Sequence, residues 1–273
     1  MKKINYDLTK DGLTKHDLII DRQRVKRRFA SYTRDYNASD PKIALKIAHT
    51  YRVADNCESI AASIGLSESD IEFAWLSGML HDIGRFEQIK RYNTFIDSES
   101  VDHAEFGADL LFGDENLIAG YIDERDYDAE LETVIRQHNK YRMDNSVSGT
   151  TITFCNILRD ADKIDILRVN VETPMEEIYN VTEEELHSSG VSEKVLEQVR
   201  ERHAINRDLM VSPAEHLIGH MALMFELVYP KSREIARQQG YLDKMLEFRS
   251  ENESMVRAIE VVRHELDDFF TAG

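Results

Sequence analysis

The sequence predicts an all-α protein, on three observations. Apolar residues recur at three- and four-residue intervals over most of the chain, the spacing of one face of a helix. Helix-start signals precede these stretches at Asp40-Pro41, Ser67 to Asp70, Thr182 to Glu185 and Ser212-Pro213. Each places an acceptor side chain or a proline where the first helical N–H groups have no internal partner. No run alternates apolar and polar residues as a half-buried strand does. At 273 residues, the chain can bury a large core in one domain, or in a main domain with an extension.

Taken in order, residues 1–38 are irregular in pattern. Arg22 to Arg28 is a basic run followed by Phe29 and Tyr32, read as a solvated basic helix paired with acids elsewhere. Asp40 and Pro41 open a helix that runs to about Ile64 and stops at Gly65. On it His49 shares an apolar face with Leu45, Val53 and Ile60, and Arg52 follows three residues later. Ser67 to Asp70 resembles a capping box and opens the next helix, which ends in His81-Asp82. Gly84 is expected to stop that helix in a left-handed conformation. Ser98 or Ser100 is expected to cap a helix carrying His103, Phe106, Gly107 and Leu110, closed by Gly113. Residues 127–138 form another, with Leu131, Val134, Ile135 and His138 on one stripe. Thr151 to Val169 is longer, with Phe154, Cys155, Leu158, Ala161 and Asp162 along one face. Further helices are expected from Ser192 to Ile205, Ser212 to Val228 and Asn252 to Phe270.

Composition narrows the function. With 42% hydrophobic and 31% charged residues, this is a globular chain rather than a disordered one. No apolar run reaches membrane-spanning length, and the start, Met-Lys-Lys-Ile-Asn-Tyr-Asp, lacks a signal peptide's hydrophobic segment. A cytoplasmic protein is expected, with Cys57 and Cys155 as buried reduced thiols. A net charge of −17 opposes binding to a nucleic acid polymer or an anionic membrane. A small anionic substrate remains compatible, because a site can be locally positive. A homo-oligomer is equally compatible.

The inward-facing polar residues carry the chemistry. His49, His81, Asp82, His103, His138 and Asp162 lie on apolar stripes of five expected helices. A single such histidine is usually a satisfied core residue. Four histidines and two aspartates are harder to satisfy pairwise, and a shared metal centre satisfies them together. Imidazole with carboxylate suits Fe, Mn, Ni, Co or Zn better than Mg or Ca. The number of ligands allows one or two divalent ions, with Asp82 bridging.

The order His49 in Ala-His-Thr-Tyr-Arg-Val, His81-Asp82 in Leu-His-Asp-Ile-Gly-Arg and Asp162 in Asp-Ala-Asp-Lys-Ile-Asp resembles the HD superfamily of metal-dependent phosphohydrolases. His103 in Asp-His-Ala-Glu-Phe-Gly and His138 in Ile-Arg-Gln-His-Asn resemble its six-ligand binuclear branch. The resemblance implies an HD-domain-like helical bundle over residues 40–172. A segment 1–39 precedes it, and the helical signals after it are read, without help from the resemblance, as a helical extension 173–273 packed on the bundle. It implies a hydrolase that attacks a small phosphorylated metabolite or nucleotide with metal-activated water. Asp82 is then catalytic as well as a ligand. Arg52, Arg85 and Lys163 are expected to hold the anion during reaction, and Lys140 and Arg142 to line the mouth. Arg85 stands where the family often has lysine, which preserves the charge and offers a planar fork. No Gly-Tyr-Pro signature is present, which weakens a cyclic-dinucleotide reading. The same six ligands would also suit a di-iron oxygenase acting on a polyol or phosphonate. A non-catalytic nucleotide-binding regulatory module is the third reading, for which a complete metal set has less use. His216 and His220 share a helix face, but without a glutamate after His216 the zinc protease motif is absent.

Overall fold

The computed structural model describes residues 18–37, 39–179 and 181–271, which are helical with no strand among them. They divide into two units between Arg159 and Asp160. The expectation about the N-terminal leader falls on residues outside those described.

The first unit begins with α1 (Arg22–Thr33), inside the stretch read as irregular. Asp21 caps it by accepting from the Arg24 N–H, and Val25, Phe29 and Thr33 form its buried face. The basic run occupies the other faces. Arg22 is clamped between Glu58 and Glu72, and Arg24 reaches Asp123. Helix α2 (Pro41–Ser63) starts on the Asp40 cap with proline at its first position, and Gly65 follows it at φ +75°. Helix α3 (Glu68–Leu80) starts at Ser67, whose hydroxyl accepts from the Asp70 N–H and donates to the Asp70 carboxylate. The shorter aspartate thus takes the serine hydroxyl, where a capping-box glutamate would reach the serine N–H.

Helices α2 and α3 pack closely, and Gly78 permits it. A Cβ there would lie 2.6 Å from the Ala54 Cα. After α3 the chain does not stop at Gly84 as expected. His81 and Asp82 form a two-residue elbow, and Gly84 lies inside α4 (Ile83–Tyr92). Its lack of a side chain serves a helix crossing, not a left-handed turn. Helix α5 (His103–Phe112) passes so near that a Cβ on Gly84 would sit 2.5 Å from the His103 carbonyl oxygen. The left-handed stop comes at Asn93, φ 55°. The cap of α5 is Asp102, not Ser98 or Ser100. Its carboxylate accepts from the Ala104 and Glu105 N–H groups, and Ser100 instead bonds the Gln88 amide.

Helix α6 (Asp128–Gln137) packs on α5 and on α3. Helix α7 (Thr150–Glu172) continues past the division between the units. Trp75, Phe73, Phe86, Tyr121 and Leu111 are the large side chains of the first unit's core. Cys57 and Cys155 are buried and unbridged.

The second unit adds α8 (Met175–Tyr179), α9 (Glu183–Ser188) and α10 (Glu193–Arg200). It continues with α11 (Pro213–Ala222), α12 (Pro230–Gln238), α13 (Tyr241–Leu246) and α14 (Glu253–Thr271). Thr182–Glu185 and Ser212–Glu215 form complete capping boxes. Helix α10 ends five residues before the expected Ile205, where Arg202 takes φ +59°. Within this unit α14 packs on α10 and α11. Asp160 is fully buried, and its carboxylate accepts from the Val228 and Tyr229 N–H groups, so it is a structural acid.

Candidate metal centre

The site is built on the elbow between α3 and α4. Asp82 is the residue before α4 and makes no capping bond with its own helix, so both carboxylate oxygens are left to face inward. Each meets one pair of imidazoles. Oδ2 lies 3.5 Å from His49 Nε2 and 3.4 Å from His81 Nε2. Oδ1 lies 3.6 Å from His103 Nε2 and 3.9 Å from His138 Nε2. His49 comes from the middle of α2, His81 from the end of α3, His103 from the first position of α5 and His138 from the end of α6. All five residues are buried. Two groups with the spacing of metal ligands result, His49–His81–Asp82 and Asp82–His103–His138, sharing the carboxylate.

Hydrogen bonds on the far side of the rings fix which nitrogens face inward with lone pairs. His81 Nδ1 donates to the Gly78 carbonyl at 2.8 Å, and His138 Nδ1 to the Ile135 carbonyl at 2.6 Å. A carbonyl can only accept, so those nitrogens carry the protons. His103 Nδ1 lies 2.7 Å from Asp97 Oδ2. Burial would push the Asp97 carboxyl up, but the bond to His103 and the charge of Arg85 outweigh it and keep the carboxyl ionised. Burial and the Arg85 charge in turn lower the His103 pKa against the pull of Asp97 and Asp82. The ring is therefore neutral and bears its proton on Nδ1.

This arrangement tests whether a metal fits. His103 Nε2 and His138 Nε2 face each other at 3.1 Å, and two neutral rings with their protons on Nδ1 present lone pairs to each other there. That contact is repulsive unless a cation takes both lone pairs. His49 Nε2 and His81 Nε2 are 3.3 Å apart. Two nitrogens at about 2.1 Å from one ion, at tetrahedral or octahedral angles, lie about 3.0–3.4 Å apart. Both separations fall in that range, so the residues fit a divalent ion on each side of Asp82.

Two residues that sequence reasoning passed over complete the surroundings. Lys46 Nζ lies 2.6 Å from Asp82 Oδ2, the oxygen that faces His49 and His81. Burial would raise the Asp82 pKa, but Lys46, His81 and His103 hold it well below the usual carboxylate range. Lys46 sits three residues before His49, one helical turn away, and that spacing was its only signal. Asp97 had none, because it stands in the short 3₁₀ turn Asp97–Glu99.

The expected anion-holding residues are placed unevenly. Arg85 is committed: its Nη1 donates to the Gln88 side chain at 2.8 Å, the Phe95 carbonyl at 2.6 Å and Asp97 at 2.8 Å. Lys140 is likewise spent on Asp102 and Glu105, at 2.9 and 2.8 Å. Arg142 is exposed, its guanidinium over the Tyr141 ring. Arg52 is half-buried on α2, one turn beyond His49. Asp162 and Lys163 belong to the second unit, half-buried and buried respectively, and Asp165 there is fully buried with Arg168 beside it. His216 is exposed, and His220 bonds the Tyr179 hydroxyl and the Asn170 side chain instead of completing a second ligand set.

Residues 47–167 match the HD domain family. This segment is an HD domain. HD domains are in general metal-dependent hydrolases, and the five converging side chains of α2 to α6 fall within the matched residues. No curated protein and no solved structure matches the chain significantly. Among the described residues, no helix is long and apolar enough to cross a membrane.

Proposed function

We propose that this HD domain hydrolyses a phosphate ester or anhydride of a small molecule, a nucleotide among the candidates, with two divalent ions held on either side of Asp82. The observation that carries this reading is the division of the Asp82 carboxylate: one oxygen faces His49 and His81, the other His103 and His138. A structural histidine cluster has no need of a carboxylate shared symmetrically between two imidazole pairs. Asp162, the sixth ligand expected from the Asp-Ala-Asp motif, is proposed on that motif alone. Fe, Mn, Ni, Co or Zn suits the donor set.

Ions bound there would supply Lewis acidity, acidifying water and neutralising phosphoryl charge. The chain's own residues do the rest. Gly78, Ile135 and Asp97 hold three rings in the tautomer that turns Nε2 inward. Such outer partners orient metal-binding imidazoles and raise their basicity. Arg85 holds Asp97 in place for that purpose. Arg52 and Lys163 are proposed to meet the substrate anion.

The test is a screen of phosphorylated metabolites with protein loaded with Mn or Fe, alongside elemental analysis. Phosphate release that disappears in His103→Ala and Asp82→Asn supports the reading. A metal-replete sample that releases no phosphate across a broad panel, yet consumes dioxygen with a polyol or phosphonate, would replace it with the oxygenase reading.

A further inference from the structure

The ammonium of Lys46 occupies a place that a divalent ion would contest. It lies 2.6 Å from Asp82 Oδ2, and the His49 and His81 nitrogens lie 3.5 and 3.4 Å from that same oxygen. An ion held by His49, His81 and Oδ2 would bring two positive charges within a few ångströms of the ammonium. Like charges a few ångströms apart in a partly desolvated site repel strongly, which displaces Lys46 from where it is. Its four-carbon stem allows it to move. The side chain is 18% exposed, so it already has a path to solvent, and its Nζ lies 5.8 Å from the Phe95 ring centre.

Arg85 makes the contrast. Its Nη1 is held by three acceptors from Gln88, Phe95 and Asp97 outside the imidazole–Asp82 set, while its Nε lies only 3.7 Å from Asp82 Oδ1. It would have to break a network to bind anything else. Lys46 has the opposite character. Among the described residues its ion-pair partner is Asp82 itself, the group that metal binding would neutralise.

We propose that Lys46 is an anion-binding residue of this centre that metal binding releases: it neutralises Asp82 while the His49–His81 side is empty, and turns to the phosphate of the ligand when a divalent ion takes Oδ2. Metal and phosphate binding are thereby coupled. The inference rests on the proposed metal centre and names the side chain that joins the ion to the substrate anion. Lys46 is thus assigned to ligand binding, and its effect is read by affinity rather than by turnover.

The experiment uses the full chain, Mn²⁺ and inorganic phosphate as the probes, and calorimetric titration as the readout. In the wild type, saturating phosphate should tighten Mn²⁺ binding by about tenfold, a coupling of ordinary size between two sites. Lys46→Met should bind Mn²⁺ about tenfold more tightly without phosphate, because the competing cation is gone, and should lose the phosphate effect. Lys46→Gln keeps a donor for Asp82 and covers the case in which the methionine variant does not fold. It should shift both quantities in the same direction. Lys46→Arg should retain the phosphate effect.

Mn²⁺ affinity within twofold of wild type in both neutral variants would overturn the proposal. So would a phosphate effect that survives loss of the charge, or a wild type that binds no Mn²⁺. If the coupling behaves as stated while no phosphorylated compound is hydrolysed, Lys46 keeps its role and only the hydrolase reading falls.

Discussion

Replacing Gly84 by alanine probes the placement of the whole site. A Cβ there would lie 2.5 Å from the His103 carbonyl oxygen, 2.7 Å from the Gly107 nitrogen and 2.9 Å from the Gly107 Cα. All three are backbone atoms of α5, so no side chain can rotate away, and the helices must separate. Overpacking of a well-filled site costs about 1–3 kcal/mol, and a backbone-against-backbone clash belongs at the upper end. Alanine recovers at most about 1 kcal/mol of helix propensity. Sterics therefore win by roughly 2 kcal/mol. Two controls isolate the cause. On Gly107 a Cβ would meet the Gly84 nitrogen at 3.0 Å and otherwise an Ile83 methyl at 3.4 Å, so clash and propensity nearly cancel. Gly65→Ala meets nothing within 4 Å but must hold φ at +75°, a cost of about 1–2 kcal/mol that comes from the backbone alone. The assay is urea unfolding followed by Trp75, the chain's one tryptophan and a core residue of the first unit. Separation of α4 from α5 also moves His103 relative to Asp82, so Gly84→Ala should weaken Mn²⁺ binding while Gly65→Ala does not. The reasoning fails if Gly84→Ala stays within about 0.5 kcal/mol of wild type, the range of an ordinary surface change, or if Gly107→Ala is equally harmful.

Three further outcomes are expected. Asp97→Asn removes the charge that holds His103 Nδ1 and Arg85, and should weaken metal affinity about 10–100-fold. Unchanged affinity in calorimetry would show that Asp97 does not act through His103. Burial pushes the Cys155 thiol up to about 12, so neither it nor the fully buried Cys57 should react with a disulfide reagent at pH 8 until the chain is unfolded, when both should. Burial also lowers the His220 pKa from 6.5 to about 4, with His216 and Arg207 adding to it. The unfolded chain then takes up the proton first, so the stability is whole above pH 6.5 and lost as pH falls toward 4. The full shift is worth roughly 3 kcal/mol, and the water contact of this half-buried ring brings the expectation to about 1–3. His220→Gln should flatten urea midpoints over that window, and an unchanged slope would contradict the assignment.

The helices were legible where local chemistry decides them. Asp40-Pro41, Gly65, Ser67 and the two capping boxes are self-contained signals, and the apolar stripes of α2, α6 and α7 need only their own periodicity. The four converging histidines were legible for the same reason, since each is a polar residue on an apolar stripe. What escaped the sequence depends on partners from elsewhere in the chain. Gly84 looks like a helix stop until α5 is known to cross there. Asp102 was passed over because Ser98 and Ser100 are equally good caps by type, and only the chain's path chooses among them. For Arg85 and Lys140 the particular acids that hold them, Asp97, Asp102 and Glu105, could not be named from the sequence, because they come from other elements. Lys46 lay in plain view one turn from His49, but a lysine on a helix is ordinarily a solvated charge, and only the position of Asp82 changes that.

The local charge count decides how an acidic protein can serve an anion. Among the described residues, ion pairs around the shared carboxylate join Asp82 and Asp97 to Lys46 and Arg85, and these four charges cancel. His103 is neutral. Without metal these four groups therefore contribute no net positive charge to offset the long-range repulsion expected from a chain of net charge −17, and the proposed Arg52 and Lys163 would face it alone. A regulatory module that bound a nucleotide without metal would need cations left over after such pairing, and Arg85 and Lys46 are not left over. Divalent ions change the sign of the balance, because each adds two charges to a cluster already neutral. Anion binding should then follow metal binding in order, and chelation should abolish phosphate affinity before it affects the fold. If phosphate bound the chelator-treated protein as tightly as the metal-loaded one, the charge count would be wrong and the regulatory reading would recover.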